Sequence, residues 1–394
     1  MSAEQPAILL REKRVLVVCG AGGVGKTTTS ASLALAAARA GRSVLVITID
    51  PSKRLAETLG VSPNEREPRE LDVARQRDLG IQPPGRLSAW MLDPQAMADR
   101  TVRRQSADSR SAERLLRNRV YRNVTSMVAG MQEYMAVEAL HDFVRDDRYD
   151  LVVLDTPPSR DALRFLDAPS RASAFFDRRI LQLFVPGPEG RIRKAAGRMF
   201  ERLLDLAFGE RTRREIQQFF ELFEHVLTRL GRSQAEMRRF FSGPEIAFVL
   251  VSSPDREALE EARYFEDRTR ALSLPLAGHV LNRSRAWTVG RPLPDEVQLP
   301  EDAPAELRSG LAKLTSFAAR EARQAERHEA IRAGLASGAG GRFALALPEL
   351  PTGASELESL ITLAGILDSP AGPTPTPGMQ DPGAGSIGAP PENG

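Results

Sequence analysis

The sequence contains a single cysteine, Cys19, in 394 residues. One thiol excludes an intrachain disulfide framework, a CxxC zinc pair and any cluster ligated only by this chain's cysteines. Cys19 closes an apolar run and reads as a small buried hydrophobe rather than a reactive thiol. Lysine is nearly as scarce: it stands only at 13, 26, 53, 194 and 313, and arginine supplies 49 of the 54 basic residues. Each lysine is therefore informative, and arginine clusters are less so. No stretch approaches the roughly 18 uninterrupted apolar residues of a membrane span, and the N-terminus lacks the apolar core of a secretory signal. A cytoplasmic chain that is not an integral membrane protein is the expectation. Net charge of one sign is missing too. At +2, no global field draws the chain to nucleic acid or an anionic bilayer, so a nucleic-acid partner is not expected. The four histidines (141, 225, 279 and 328) are scattered without ligand spacing, which argues against a histidine metal site.

What is present is a series of short apolar runs: Val15–Cys19, Ser43–Ile49, Leu87–Leu92, Leu151–Leu154, Ile246–Val251, Leu276–Leu281 and Phe343–Leu347. They read as buried strands of a parallel sheet. Helical patterns separate them, Lys26–Ala40 after the first and Arg256–Ala271 after the fifth. The latter is announced by Ser253-Pro254-Asp255, which combines a cap, a first-turn proline and an acid at the positive helix end. This alternation predicts an α/β fold with a doubly wound, mostly parallel sheet. Helix-patterned insertions interrupt it at about 94–148 and 160–242, and are expected to form a helical subdomain. The second insertion holds 11 of the 16 phenylalanines. Ala303–Ser337 reads as one long helix or two. Half of the 26 residues in 369–394 are Pro or Gly, a composition expected to be disordered. Residues 1–368 are thus expected to be the folded unit.

Gly20-Ala21-Gly22-Gly23-Val24-Gly25-Lys26-Thr27 satisfies GxxxxGK[ST] in full, between an apolar strand and a helix. Its glycines let the backbone turn tightly and aim N–H groups at phosphate oxygens, and the following helix adds its positive end. Lys26 would bridge β- and γ-phosphates, Thr27 would ligate Mg²⁺, and Thr28 could serve the α-phosphate. The implied ligands are ATP and Mg²⁺. Asp155, at the end of one strand, is expected to hold the Mg²⁺ shell through water. Asp50, at the end of another and heading Asp50-Pro51-Ser52-Lys53, is the candidate to orient the attacking water.

These residues resemble a family. The glycine-rich loop, a strand ending in Asp-Pro, and Asp155-Thr156-Pro157-Pro158-Ser159 are similar to the deviant-Walker P-loop ATPases. That group includes partition (ParA) and division-site (MinD) proteins, nitrogenase iron protein, and the ArsA-like arsenite-pump and guided-entry targeting ATPases. Ile49-Asp50-Pro51-Ser52-Lys53-Arg54-Leu55 resembles the first switch of the ArsA-like branch. The segment from Asp155 through Arg160-Asp161-Ala162-Leu163-Arg164-Phe165-Leu166 resembles its second switch. Insertions of this length also match, whereas partition and division-site proteins are shorter. The resemblance runs from about Val15 to Leu367.

It implies that Gly22 to Thr28 bind phosphates and Mg²⁺, that Asp50 serves the hydrolytic water, and that Asp155 is the second Mg²⁺-linked carboxylate. It implies that Asn282 recognises adenine and that the Pro348-Glu349-Leu350 loop lines the base pocket. It further implies a nucleotide-gated dimer, homo- or heteromeric with a paralogue, that couples ATP turnover to a protein partner, a hydrophobic client helix or a membrane-protein partner. Two departures qualify this. The family's signature lysine, which reaches the partner's phosphates, is Ala21 here; Lys53, Arg54 and Arg160 are candidate substitutes. The thiols that bind metalloid in arsenite-pump members are absent. Two alternatives stay open: a weakly hydrolysing regulatory subunit paired with a lysine-bearing paralogue, and a ParA- or MinD-like positioning ATPase.

Two further patterns have plain and sharper readings. Phe219, Phe220, Phe223, Val226, Leu227 and Leu230 share a helical face, read first as core and second as a groove for a client helix. Eight arginines between Arg100 and Arg122 read first as a solvated face and second as a surface for an acidic partner.

Overall fold

The run Val15–Gly20 (β1) is apolar at nearly every position, and all six residues are buried. A strand with no polar face has to lie inside a sheet covered on both sides. In the computed structural model, which describes residues 5–49, 54–62, 65–127, 131–157, 215–216, 218–223, 239–290, 299–300, 303–337, 342–350 and 355–368, that is its position. The other strands are Ser43–Thr48 (β2), Arg69–Glu70 (β3), Arg86–Met91 (β4), Leu151–Asp155 (β5), Ile246–Ser252 (β6), Leu276–Ser284 (β7) and Phe343–Pro348 (β8). Among the described residues they form one sheet in the order β3-β4-β2-β5-β1-β6-β7-β8. Every pairing is parallel except β3 with β4, which is antiparallel.

Successive strand residues face opposite ways, and the two resulting cores follow this parity. Leu16, Val18, Val44, Val46, Val153 and Val249 pack on one side with helix Lys26–Arg39 (α2) and the C-terminal helix Glu356–Asp368. Val15, Val17, Leu45, Ile47, Val152 and Phe248 pack on the other, with Met97, Phe143 and Phe265 from three further helices. Each fully buried large side chain contributes roughly 1.5–3 kcal/mol, and a slip of one residue in a central strand would send its side chains to the opposite core.

The predicted strands are all present, with shifted ends. β7 runs on to Ser284, so Asn282 sits within a strand. The short antiparallel pair at the β3 edge went unread in the sequence because Arg69-Glu70 carries no apolar signal. Residues 305–337 form one helix of 33 residues rather than two.

The first insertion begins with helix Pro94–Gln105 (α3), the chain having opened on Gln5–Glu12 (α1). Its start is dictated locally: the Asp93 carboxylate accepts from the backbone N–H groups of Gln95 and Ala96, with Pro94 in the first turn. It ends the path back to the sheet in Met131–Arg145 (α4). Arg104 on α3 pairs with the fully buried Glu138 on α4 at 3.1 Å and also with Asp142. Arg100 reaches Glu67 at 3.0 Å and Asp142 at 3.6 Å, and Arg103 reaches Glu113 at 3.4 Å. Part of the arginine cluster is thus a staple between helices.

Of the second insertion, only 215–216, 218–223 and 239–242 are described. There Phe219 and Phe223 stack at 4.9 Å and are buried against Val102, Leu115 and Tyr121. These two rings face the core. Val226, Leu227, Leu230 and the 369–394 tail lie outside the described residues. No described helix is long and apolar enough to cross a membrane.

His279 on β7 is 1% exposed, and neither ring nitrogen has a hydrogen-bond partner. Glu266 is the nearest acid, 4.0 Å from Nε2. Burial holds its pKa below the ordinary 6.5; Glu266 opposes this shift and Arg342 adds to it. The unfolded chain therefore binds this proton more readily, so the associated stability is present above pH 6.5 and is lost as pH falls below it. Urea unfolding at about pH 7 and about pH 5.5 should show a smaller loss of midpoint in His279→Leu than in the wild type. An equal loss in both would assign the acid sensitivity to other groups.

Candidate phosphate-binding site

The loop joins β1 to α2 at the C-terminal edge of the sheet, where β1 lies between β5 and β6. Ligands of open α/β sheets bind in this crevice. Two of its glycines are required by the packing. A Cβ on Gly20 would lie 2.1 Å from the Val251 carbonyl of β6. Gly25 has φ +89°, and a Cβ there would meet Asn282 Nδ2 at 2.2 Å. Gly25 is also the N-cap of α2 and supplies no side-chain acceptor, so the first-turn N–H groups have no capping side chain. Gly22 and Gly23 are exposed, Val24 is buried, and Thr28 is exposed one position beyond Thr27. An exposed glycine backbone leading into an uncapped helix fits an anion.

Lys26 is 6% exposed, and its Nζ donates to the Ala21 carbonyl at 2.7 Å. The ammonium thus lies across its own loop. Ala21 is buried, its methyl packed in the α2-side core.

Asp155 is completely buried. Thr27 Oγ1 donates to its Oδ2 at 2.7 Å, Thr48 Oγ1 to the same oxygen at 3.0 Å, and Ser30 Oγ to Oδ1 at 3.3 Å. Because Thr27 commits its proton to the carboxylate, its lone pairs are what it can offer a cation. A hydroxyl beside a carboxylate is a hard oxygen set that suits Mg²⁺. Thr156 follows, pinned to β1 by Oγ1 donating to the Val18 carbonyl at 2.8 Å. Ser30 and Thr48 carried no motif signal. Strand register, which pairs Thr48 with Asp155, and the pitch of α2, which carries Ser30, reveal them.

Asn282 Nδ2 donates to the Val24 carbonyl at 2.8 Å. The structure brings this residue onto the loop itself, where Oδ1 and the second amide proton are the groups a base edge could engage. Pro348 ends β8 and pairs in register with Ser284. Next to it, Arg285 pairs with Glu349 at 3.4 Å and with Glu321, and its backbone N–H donates to His328 Nδ1 at 3.0 Å. Burial and the cations Arg285 and Arg327 hold the His328 pKa low, in keeping with a neutral acceptor. Cys19 sits one residue before the loop, its thiol pushed up to about 12 chiefly by burial; it is inert. Asp50, Pro51, Ser52, Lys53 and Arg160 lie outside the described residues, as does the side chain of Arg54.

Comparison with known proteins points to one family. The profile of a family described as anion-transporting ATPase matches residues 13–277, from just before β1 into the start of β7. Asn282 and Pro348 lie beyond that match. A protein of Aquifex aeolicus named for an arsenical pump-driving ATPase is 24% identical over 255 residues, 64% of this chain and 58% of the relative. The ATPase GET3 of Chaetomium globosum is 31% identical over 160 residues, 41% of this chain and 44% of the relative. The ATPase GET3 of Kluyveromyces lactis is 30% identical over 177 residues, 42% and 48%. The chain spans about half the length of these curated relatives. With two thirds of its length matched by one family profile and the phosphate loop inside the match, the chain belongs to the anion-transporting (ArsA) ATPase family.

Proposed function

We propose that the chain is an ATPase that binds ATP with Mg²⁺, works as a nucleotide-gated dimer and couples turnover to the binding and release of a protein partner or hydrophobic client. The observation that carries this reading is the 2.7 Å bond between the Thr27 hydroxyl and the buried Asp155 carboxylate, placed where the loop meets the strand ends. Gly20, Gly22, Gly23, Val24 and Gly25 would present backbone N–H groups to the phosphates, and Lys26 would neutralise β- and γ-oxygens. Thr27 and Asp155 would hold Mg²⁺, the latter through water, and Thr28 would reach the α-phosphate. When bound, Mg²⁺ neutralises developing phosphate charge. Asp50 would orient the water, and Asn282 and Pro348 would frame the base. The name of the Aquifex relative refers to an arsenical pump; with one thiol, buried and inert, metalloid capture by thiolates is not part of the proposal.

A second reading, the regulatory half of a heterodimer, is favoured by one observation. Ala21 is buried and apolar, so position 21 extends no cation towards a second site. Lost transition-state charge stabilisation of this kind slows hydrolysis strongly.

Three measurements test these roles. Lys26→Ala should weaken ATP binding by about tenfold to a hundredfold, the worth of a charged hydrogen bond, in a calorimetric titration; unchanged affinity refutes the site. Asp50→Asn should keep nucleotide affinity while steady-state turnover falls about 10²- to 10⁴-fold. For Ala21, turnover of the wild type alone settles the matter: robust activity excludes the regulatory reading, and activity that appears only in Ala21→Lys supports it.

A further inference from the structure

We propose that Thr48 is a positioning residue for the metal-linked carboxylate, with Ser30 as its weaker counterpart. The inference rests on the ATP and Mg²⁺ reading above. A buried carboxylate has to be satisfied by protein donors, and Asp155 receives hydroxyls from two elements: Thr27 and Ser30 from α2, Thr48 from β2. Thr27 and Thr48 converge on the same oxygen, Oδ2. Their situations differ. Thr27 is partly exposed at the loop and is the hydroxyl that would turn its lone pairs to the cation. Thr48 is 2% exposed and ends β2 inside the sheet. It anchors Oδ2 whether or not the site is loaded.

The anchor is built into strand register. Thr48 and Asp155 are cross-strand partners of β2 and β5, and the Ile49 N–H donates to the Asp155 carbonyl at 3.3 Å. Thr48 is two residues before Asp50, so the same side chain joins the strand that delivers the water-orienting acid to the strand that delivers the metal-linked one. Partners of this kind that orient a metal-linked group commonly change metal affinity by about 10- to 100-fold when lost. Valine at position 48 would keep the β-branched shape and the strand preference while removing only the hydroxyl.

The test is calorimetric binding of ADP to the full chain, in EDTA and in excess Mg²⁺; the ratio of the two affinities reads the metal coupling without any turnover. Thr48→Val should keep the EDTA affinity and lose about tenfold of the Mg²⁺ gain, and Thr48→Ser should restore the gain. Ser30→Ala, outside the sheet and with the longer bond of 3.3 Å, should show a smaller loss of the same kind. Full Mg²⁺ coupling in Thr48→Val overturns the inference. So does a Thr48→Val variant that loses EDTA affinity as much as Mg²⁺ affinity, since that is a structural effect. A wild type with no Mg²⁺-dependent ADP binding would instead overturn the nucleotide reading itself, a result distinct from both.

Discussion

A buried carboxylate has to be met by donors, and Asp155 receives hydroxyls from α2 and β2. This requirement ties together the parts of the molecule that matter most. The first turn of α2 is held against β5 by Thr27 and Ser30, and β2 is held against β5 by Thr48. Because β5 lies between β2 and β1, these bonds tie the start of α2, which follows the β1 loop, to the strands on that side of it. A site assembled from rigid strand ends and a helix terminus needs little reorganisation when a charged ligand arrives.

The same arrangement explains why the two cores are so apolar near the site. Cys19, Val17 and Leu154 lie on one face and Val18 and Val153 on the other, on the two strands, β1 and β5, that lead into the loop and to Asp155. Dry walls make each hydrogen bond to a charged group count for more. They also make an unpaired charge costly, and Lys26 folded onto the Ala21 carbonyl is one answer to that cost.

Much of this was legible in the sequence. The phosphate loop declares itself through fixed spacing between a strand and a helix, and the strands declare themselves because burial on both faces leaves unbroken apolar runs. Asp93-Pro94 marks a helix start by local chemistry alone. What could not be read depends on register and distance. Thr48 and Ser30 are ordinary residues until strand pairing and helix pitch bring them to one carboxylate. The edge strand Arg69–Glu70 has no apolar pattern to betray it. The aromatic stripe was ambiguous because a helix face that is apolar can serve a core or a client equally well. Burial of Phe219 and Phe223 decides for the core at those two positions. The arginines from 100 to 104 likewise turned out to be bound to acids on neighbouring elements.

The contact between Gly25 and Asn282 has a bearing on how this sequence can change. Position 25 has no room for a Cβ while the amide of residue 282 stands 2.2 Å from where it would be, and φ at +89° penalises one in any case. Residues 257 positions apart therefore behave as one locus. Drift at 282 towards a longer side chain would push on the loop, and drift at 25 would first need 282 to shrink and the turn to relax. Such paired conditions are rarely met by single steps, so the loop's geometry is guarded by a strand two places away from β1 as well as by its own glycines.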